Sequence, residues 1–201
     1  ADLLQQVLTF EHPADAVVSR YFRQHRSLGP RERATLAETA YAVLRKKPLF
    51  EQLARSGQGP RERRLAILGF HGPRDFLKSA LTSQEKDWVD ACDAVREADL
   101  LEPQRHNLPQ WLAEPLKAQL GGEFWAPARS LQEQAPLDLR VNILQAKRDQ
   151  IQKELAQGAI QSVATPFSPW GLRIDGKPAL NKLDAFTRGA LEVQDEGSQL
   201  L

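Results

Sequence analysis

The chain has 201 residues, 41% of them hydrophobic and 26% charged, with a formal net charge of +1. This is enough chain for one large domain or two small ones, and it is too apolar for a disordered protein. No apolar run approaches ~18 residues, so no membrane-spanning helix is expected, and a single cysteine, Cys92, excludes an internal disulfide and a multi-cysteine zinc site.

The lone cysteine fits a reducing, cytoplasmic setting. The first residues, ADLLQQVLTF, lack the basic-then-apolar order of a secretory signal. The sequence contains no Met, initiator included, which predicts trimming at both ends. The near-neutral net charge conceals an asymmetry. Between Arg20 and Asp75 there are 13 Lys or Arg against 5 Asp or Glu, whereas residues 82–102 hold 2 against 7. The basic block has the size of a nucleic-acid footprint. Charge alone favours solvated helix faces.

In chain order, residues 12–29 place Val17, Val18, Tyr21 and Phe22 on one helical face, with Pro13 at the start and Gly29 at the stop. A second helix begins at Pro30 and is expected to bury Ala37, Ala40, Tyr41 and Leu44; Pro48 breaks or restarts it. The string GPRER occurs at residues 29–33 and 59–63. Its flanks do not match, so it reads as one helix-start solution used twice. Thr82 and Glu85 form a capping-box pattern ahead of a helix whose expected apolar face is Trp88, Ala91, Cys92 and Val95. Cys92 is then a small core hydrophobe rather than a nucleophile. Seven Pro or Gly punctuate residues 102–136, with short helices expected over 110–120 and 125–133.

After Pro136 the period changes to two. Residues 137–143, LDLRVNI, put Leu137, Leu139, Val141 and Ile143 on one face and Asp138, Arg140 and Asn142 on the other. A helix closed by Gly158, strands over 160–167 and 172–175, a short helix with Leu180, Leu183 and Phe186 inward, and a strand over 190–195 complete the order β-α-β-β-α-β. RNA-recognition domains share this order but stack bases on aromatic residues of their central strands. The expected first strand here has none. No Gly-rich phosphate loop is present, the four His lie far apart as helix-end or surface residues, and no nucleophile-base pair stands out.

Three ordered segments carry a resemblance. LPQWL at 108–112, LDLRVN at 137–142 and LEVQDEGSQ at 191–199 resemble the "LPxWL", "LRVN" and "xVQDEGSQL" elements of the Sun/Fmu-type RNA (cytosine-5) methyltransferases, the ribosomal RNA methyltransferase B family. Residues 13–45 are similar to the distantly NusB-like helical extension that precedes those elements. The resemblance implies an α plus α+β chain. Its parts would be a helical domain (1–102), a helical linker region (103–135), a ferredoxin-like or RNA-recognition-like β-α-β-β-α-β domain (136–195), and the start of an absent Rossmann-like catalytic domain (196–201).

The resemblance also implies S-adenosylmethionine as the parent's cofactor. One cysteine thiolate adds to carbon 6 of cytosine and a second assists release. Both would lie beyond this chain, so Cys92 inherits no role. No catalytic, cofactor or metal residue is expected here, and the fragment is expected to be inactive. Its task would be to bind and orient RNA through phosphate contacts before the base is flipped out. The candidates are Arg140 and Asn142, then Lys182 and Arg188, and on the helical part Arg20, Arg23, Arg31, Arg45, Lys46 and Lys47. Arg140 paired with a carboxylate on the sheet surface is an equal reading. Gln194 and Asp195 would lie nearest the missing site, and residues 197–201 would be frayed or docked elsewhere. The alternative is a non-enzymatic helical module that binds protein, with the acidic helix around Trp88 as partner face, or that shields a catalytic domain.

Overall fold

Proline starts and 3.6-residue periods produce a run of helices over the first two thirds of the chain. The computed structural model describes residues 1–176 and 178–201. The helices are α1 (Asp2–Val7), α2 (Ala14–Gln24), α3 (Pro30–Arg45), α4 (Lys47–Ala54), α5 (Arg61–Leu68), α6 (Arg74–Ser79), α7 (Ser83–Asp93), α8 (Glu102–His106), α9 (Gln110–Leu120) and α10 (Trp125–Ser130). Together they form one compact unit, Ala1–Glu133; the second is Gln134–Leu201. None of the described helices is long and apolar enough to cross a membrane.

The first unit's main core gathers Leu3, Leu4 and Val7 of α1, Val17, Val18 and Tyr21 of α2, Ala40 and Val43 of α3, and Leu65 of α5. In α3 the buried stripe is Thr39–Ala40–Val43, and Ala37, Tyr41 and Leu44 are only half-buried. The rotation has a local cause. A Cβ on Gly69, the last residue of the α5 turn, would strike Val43 Cγ2, so α5 closes directly onto Val43. Thr39 Oγ1 accepts the His71 N–H at 3.1 Å on the same side.

The two GPRER strings are used differently. In the first, the Glu32 carboxylate accepts the Gly29 N–H at 2.6 Å and Pro30 opens α3. In the second, Gly59 takes a left-handed φ of 85°, Pro60 is the cap and the helix begins at Arg61.

The capping box of α7 forms as expected: Thr82 Oγ1 accepts the Glu85 N–H at 3.2 Å and Glu85 Oε2 accepts the Thr82 N–H at 2.9 Å. Its buried residues are Val89 and Cys92, while Ala91 and Val95 are exposed. Val95 lies past the helix end, and Trp88, half-buried, packs against the core of Ile67, Leu77, Leu81 and Val89 and lies across Gly57, donating its Nε1–H to Ser56 Oγ at 3.1 Å. Burial raises the Cys92 thiol pKa, which keeps it protonated and fits a packing role. His106 is a helix-end histidine, the last residue of α8; it is also buried, and burial lowers its pKa.

The second unit contains β1 (Leu137–Val141), α11 (Arg148–Gln157), β2 (Ser162–Ala164), β3 (Gly171–Ile174), α12 (Asp184–Thr187), β4 (Leu191–Val193) and α13 (Glu196–Gln199). The sheet order is β2-β3-β1-β4, every pairing antiparallel. Leu139 and Val141 of β1, Leu172 and Ile174 of β3, and Leu191 of β4 pack on Ile151 and Leu155 of α11 and Ala185 of α12. The strands are shorter than the alternation suggests. β1 ends at Val141 because the Asn142 side chain accepts the Leu144 N–H and turns the chain, leaving Ile143 exposed. Phe167, at the expected end of β2, is also exposed.

Candidate nucleic-acid interface

A β-sheet covered by helices on one face presents its alternate side chains on the other. Here that outer face carries Asp138 and Arg140 on β1, Gly171 and Arg173 on β3, and Glu192 on β4. These central-strand positions are where an RNA-recognition domain places its stacking aromatics. Asp138 has only 1% of its side chain exposed. Its register partner Arg173 donates Nε–H and Nη2–H to the two carboxylate oxygens at 2.7 and 2.8 Å. The Arg173 bond holds the Asp138 carboxyl below its usual value, against the opposing effect of burial.

Helix α13 lies over this pair. The Glu196 N–H donates to Asp138 Oδ2 at 3.4 Å. Glu196 Oε1 accepts the N–H groups of Phe167 and Ser168 at 2.7 and 2.9 Å. Burial pushes the Glu196 carboxyl up, and these N–H bonds with Arg173 more than offset it, so the net shift is downward. Gln199 reaches Gly171, where an added Cβ would come within 3.0 Å of its Oε1 and strike Thr165 Oγ1. Glu196 and Gln199 are therefore docked while Leu200 and Leu201 are exposed, and the outer face is occupied by an ion pair and a helix turn instead of open aromatics.

The sheet-unit candidates are mostly engaged. Arg140 pairs with Glu192, its neighbour across β1 and β4, with 44% of the Arg140 side chain exposed. Asn142 donates to the Gly189 carbonyl at 3.1 Å and accepts from Leu144, so both ends of its amide shape the loop. Arg188 donates to both oxygens of Glu154 at 2.9 and 2.7 Å and also bonds Asp184. The Glu154 bond, then that of Asp184, raises the Arg188 pKa and fixes its charge. Lys182 is exposed and makes no ion pair among the described residues. The Gln194 N–H donates to the Asp138 carbonyl at 3.2 Å, and Asp195 caps α13 by accepting the Gly197 N–H at 3.0 Å. Arg140, Asn142 and Gln199 do share a hollow of about 430 Å³ with Trp170.

The basic block of the helical unit is sorted by pairing. Among its later cations Arg61, Arg63 and Arg74 pair with carboxylates, whereas Arg55 and Arg64 make no ion pair among the described residues, Arg64 donating instead to the Ala54 and Gly57 carbonyls. Arg63 donates Nη2–H to Glu85 at 2.9 Å, Arg74 pairs with Asp93, and Lys78 lies 3.5 Å from Asp90. Arg63 and the Thr82 cap pull the Glu85 carboxyl down to about 2. Arg61 pairs with Glu51 and Glu62. The earlier cations differ. Arg20, Arg23 and Arg31 are exposed and Arg45 and Lys46 half-buried, and none makes an ion pair among the described residues. Lys47 bonds Glu51 at 3.2 Å. Arg26, also exposed and unpaired, lies in the α2–α3 turn and was not singled out by the sequence pattern. The charge surplus of residues 20–75 is thus concentrated on α2, α3 and their connection. The described residues include no cluster of His, Cys, Asp or Glu able to hold a metal ion.

Residues 108–181 match the family model for the ferredoxin-like domain of RsmF/B-like methyltransferases. The chain is 30% identical over 193 residues to ribosomal RNA small subunit methyltransferase B of Xylella fastidiosa, covering 84% of this chain and 44% of that protein. It is 25% identical over 233 residues to the probable ribosomal RNA small subunit methyltransferase B of Synechocystis, covering 98% of this chain and 52% of that one. The chain spans about half the length of the curated relatives it matches. A solved structure, the crystal structure of PH0851, has the same fold, with a TM-score of 0.65 and 20% identity over 98% of this chain and 52% of that one. The match over 108–181 and relatives of one kind along most of the sequence make the chain similar to part of the ribosomal RNA small subunit methyltransferase B proteins.

Proposed function

We propose that this chain is the N-terminal, RNA-binding and substrate-orienting part of an S-adenosylmethionine-dependent RNA (cytosine-5) methyltransferase acting on ribosomal RNA, with a NusB-like helical unit and cytoplasmic residence. The observation that carries the reading is the sorting of cations. A folded protein usually neutralises a basic block with nearby carboxylates, as α7 does for Arg63, Arg74 and Lys78. Leaving Arg20, Arg23, Arg26, Arg31, Arg45 and Lys46 without an ion pair among the described residues keeps a positive field that a polyanion satisfies. The names of the relatives supply the polyanion class, a ribosomal RNA.

S-adenosylmethionine does not fit the described residues. In an open α/β sheet such a cofactor binds at the carboxyl ends of parallel strands where the strand order reverses, and this sheet is antiparallel throughout. No methyl-transfer step is derived from these residues. The alternative, a protein-binding face on the acidic helix, is weakened by the use of Glu85, Asp90 and Asp93 in internal ion pairs and of Trp88 against Gly57.

The test is titration of the chain with a single-stranded ribosomal RNA segment at two salt concentrations. Affinity is expected to fall by at least tenfold between about 50 and 200 mM salt. Absence of binding at the lower salt, or binding indifferent to salt, would overturn the reading.

A further inference from the structure

Phe10 occupies a position that the turn around it does not explain. Helix α1 ends at Val7, and Thr9 organises the connection to α2: its Oγ1 donates to the Gln6 carbonyl at 3.0 Å and accepts the Glu11 N–H at 3.4 Å. At the tip, Phe10 has a φ of 57° and is 61% exposed. A left-handed backbone is unfavourable for a bulky L-residue, and an exposed benzyl ring is unfavourable in water. Gly or Asn would make the same turn without either cost.

A cation lies at the ring. Lys47 Nζ stands over it, 5.8 Å from the centroid. Lys47 and Arg61 share the carboxylate of Glu51, Arg61 also reaching Glu62, and Arg45 and Lys46 immediately precede Lys47 and make no ion pair among the described residues. Glu11, next to Phe10, is the nearest other acid in sequence. The other exposed aromatics lack this combination. Phe76 stacks on Phe70 at 6.3 Å, and neither Trp111 nor Phe167 has a cation over its ring among the described residues.

We infer that Phe10 is a stacking platform for one unpaired RNA base, with Arg45, Lys46 and Lys47 contacting the phosphates beside it. The inference rests on the RNA-binding reading and narrows it to a single-stranded segment. Aromatic rings recognise any base through its π-face, and adjacent Lys or Arg supply the salt-dependent contacts to the strand.

The experiment compares the full chain with Phe10→Ala, Phe10→Gly and Phe10→Trp, using fluorescence anisotropy of a short single-stranded RNA and of a duplex of the same length. Phe10→Ala and Phe10→Gly are expected to weaken single-strand binding by about 5- to 150-fold, the range for loss of one stacked base. Phe10→Trp should retain or tighten it, and duplex binding should be unchanged in all three. Phe10→Gly also relaxes the left-handed backbone, so its melting temperature should equal or exceed that of the parent chain. A loss of affinity therefore cannot be ascribed to unfolding. If the parent chain binds with salt dependence and Phe10→Ala binds equally well, the platform is overturned and the broader reading survives. Phe10 would then be an anchor for protein or for nothing. If the parent chain binds no RNA, both are overturned.

Discussion

Arg173 is the residue whose loss the sheet unit tolerates least at its polar face. It satisfies both oxygens of the buried Asp138 and lies 3.8 Å from Glu196, so one guanidinium serves two carboxylates. Removing the cation strands a buried negative charge, which costs more than removing the carboxylate from a partly exposed arginine. Arg173→Gln is expected to cost about 2–3 kcal/mol at pH 7, toward the low end for a buried pair because 37% of the arginine side chain reaches solvent. Asp138→Asn should cost less. The pH dependence follows from the depressed Asp138 pKa. Its contribution is complete above the unfolded value, ~3.9, and is lost as pH falls through the lower folded value. In Arg173→Gln the unpaired carboxyl favours its neutral form, so acid relieves the variant while it weakens the parent. Urea midpoints followed through β1 and β3 amide signals should therefore differ most near neutral pH and converge below about pH 4. A gap independent of pH would refute the assignment.

At the scale of elements, helix α11 illustrates what a sequence pattern conveys and what it omits. Gly158 marks the helix end as expected, but its φ of −81° is ordinary. The left-handed step falls on Ala159, φ 58°. The Ala159 N–H donates to the Ala156 carbonyl at 3.0 Å and the Ile160 N–H to the Leu155 carbonyl at 2.9 Å. This is a Schellman ending with Ala where Gly is favoured. Ala159→Gly should raise stability by about 0.5–1 kcal/mol, read as an upward shift in melting temperature; no gain would mean that the strain is compensated elsewhere. Element order was legible because apolar periods and Pro or Gly stops are local signals. The β-α-β-β-α-β order and the helix over 110–120 came from these alone. The polar face was not legible. Asp138 alternates with Leu137 and Leu139 and so reads as solvent-facing. Its burial depends on Arg173, 35 residues away, and on Glu196, 58 away. The faces expected for α3 and α7 were right in part, with Ala40 and Cys92 buried and Ala37, Leu44 and Trp88 packed against the cores, but the most buried positions are shifted beside the close approaches at Gly69 and Gly57.

The whole chain's net charge of +1 is the sum of a neutralised region and a bare one. The acidic segment after residue 82 reaches back to the basic block through the Arg63–Glu85 and Arg74–Asp93 pairs, which offset part of the asymmetry. Most of what persists lies at the two ends of α3. Arg20, Arg23, Arg26 and Arg31 belong to its N-terminal side; Arg45 and Lys46 are at its C-terminal end, about 21 Å along the axis from Arg31 at 1.5 Å per residue. A strand crossing both patches would release counterions at each, with a slope near −0.7 per phosphate for single strands. Reversing Arg20 and Arg23 to Glu should therefore weaken single-stranded RNA binding and flatten the plot of log affinity against log salt by about 1.4. The helical fold should be left intact, because neither side chain holds another residue. Reversing Arg63 and Arg74 should do the opposite. It breaks the links to Glu85 and Asp93, lowering the melting temperature by a few degrees, while leaving the salt slope of the surviving folded protein unchanged. Equal slopes for the two double variants would mean that the pairing pattern does not decide where RNA lies.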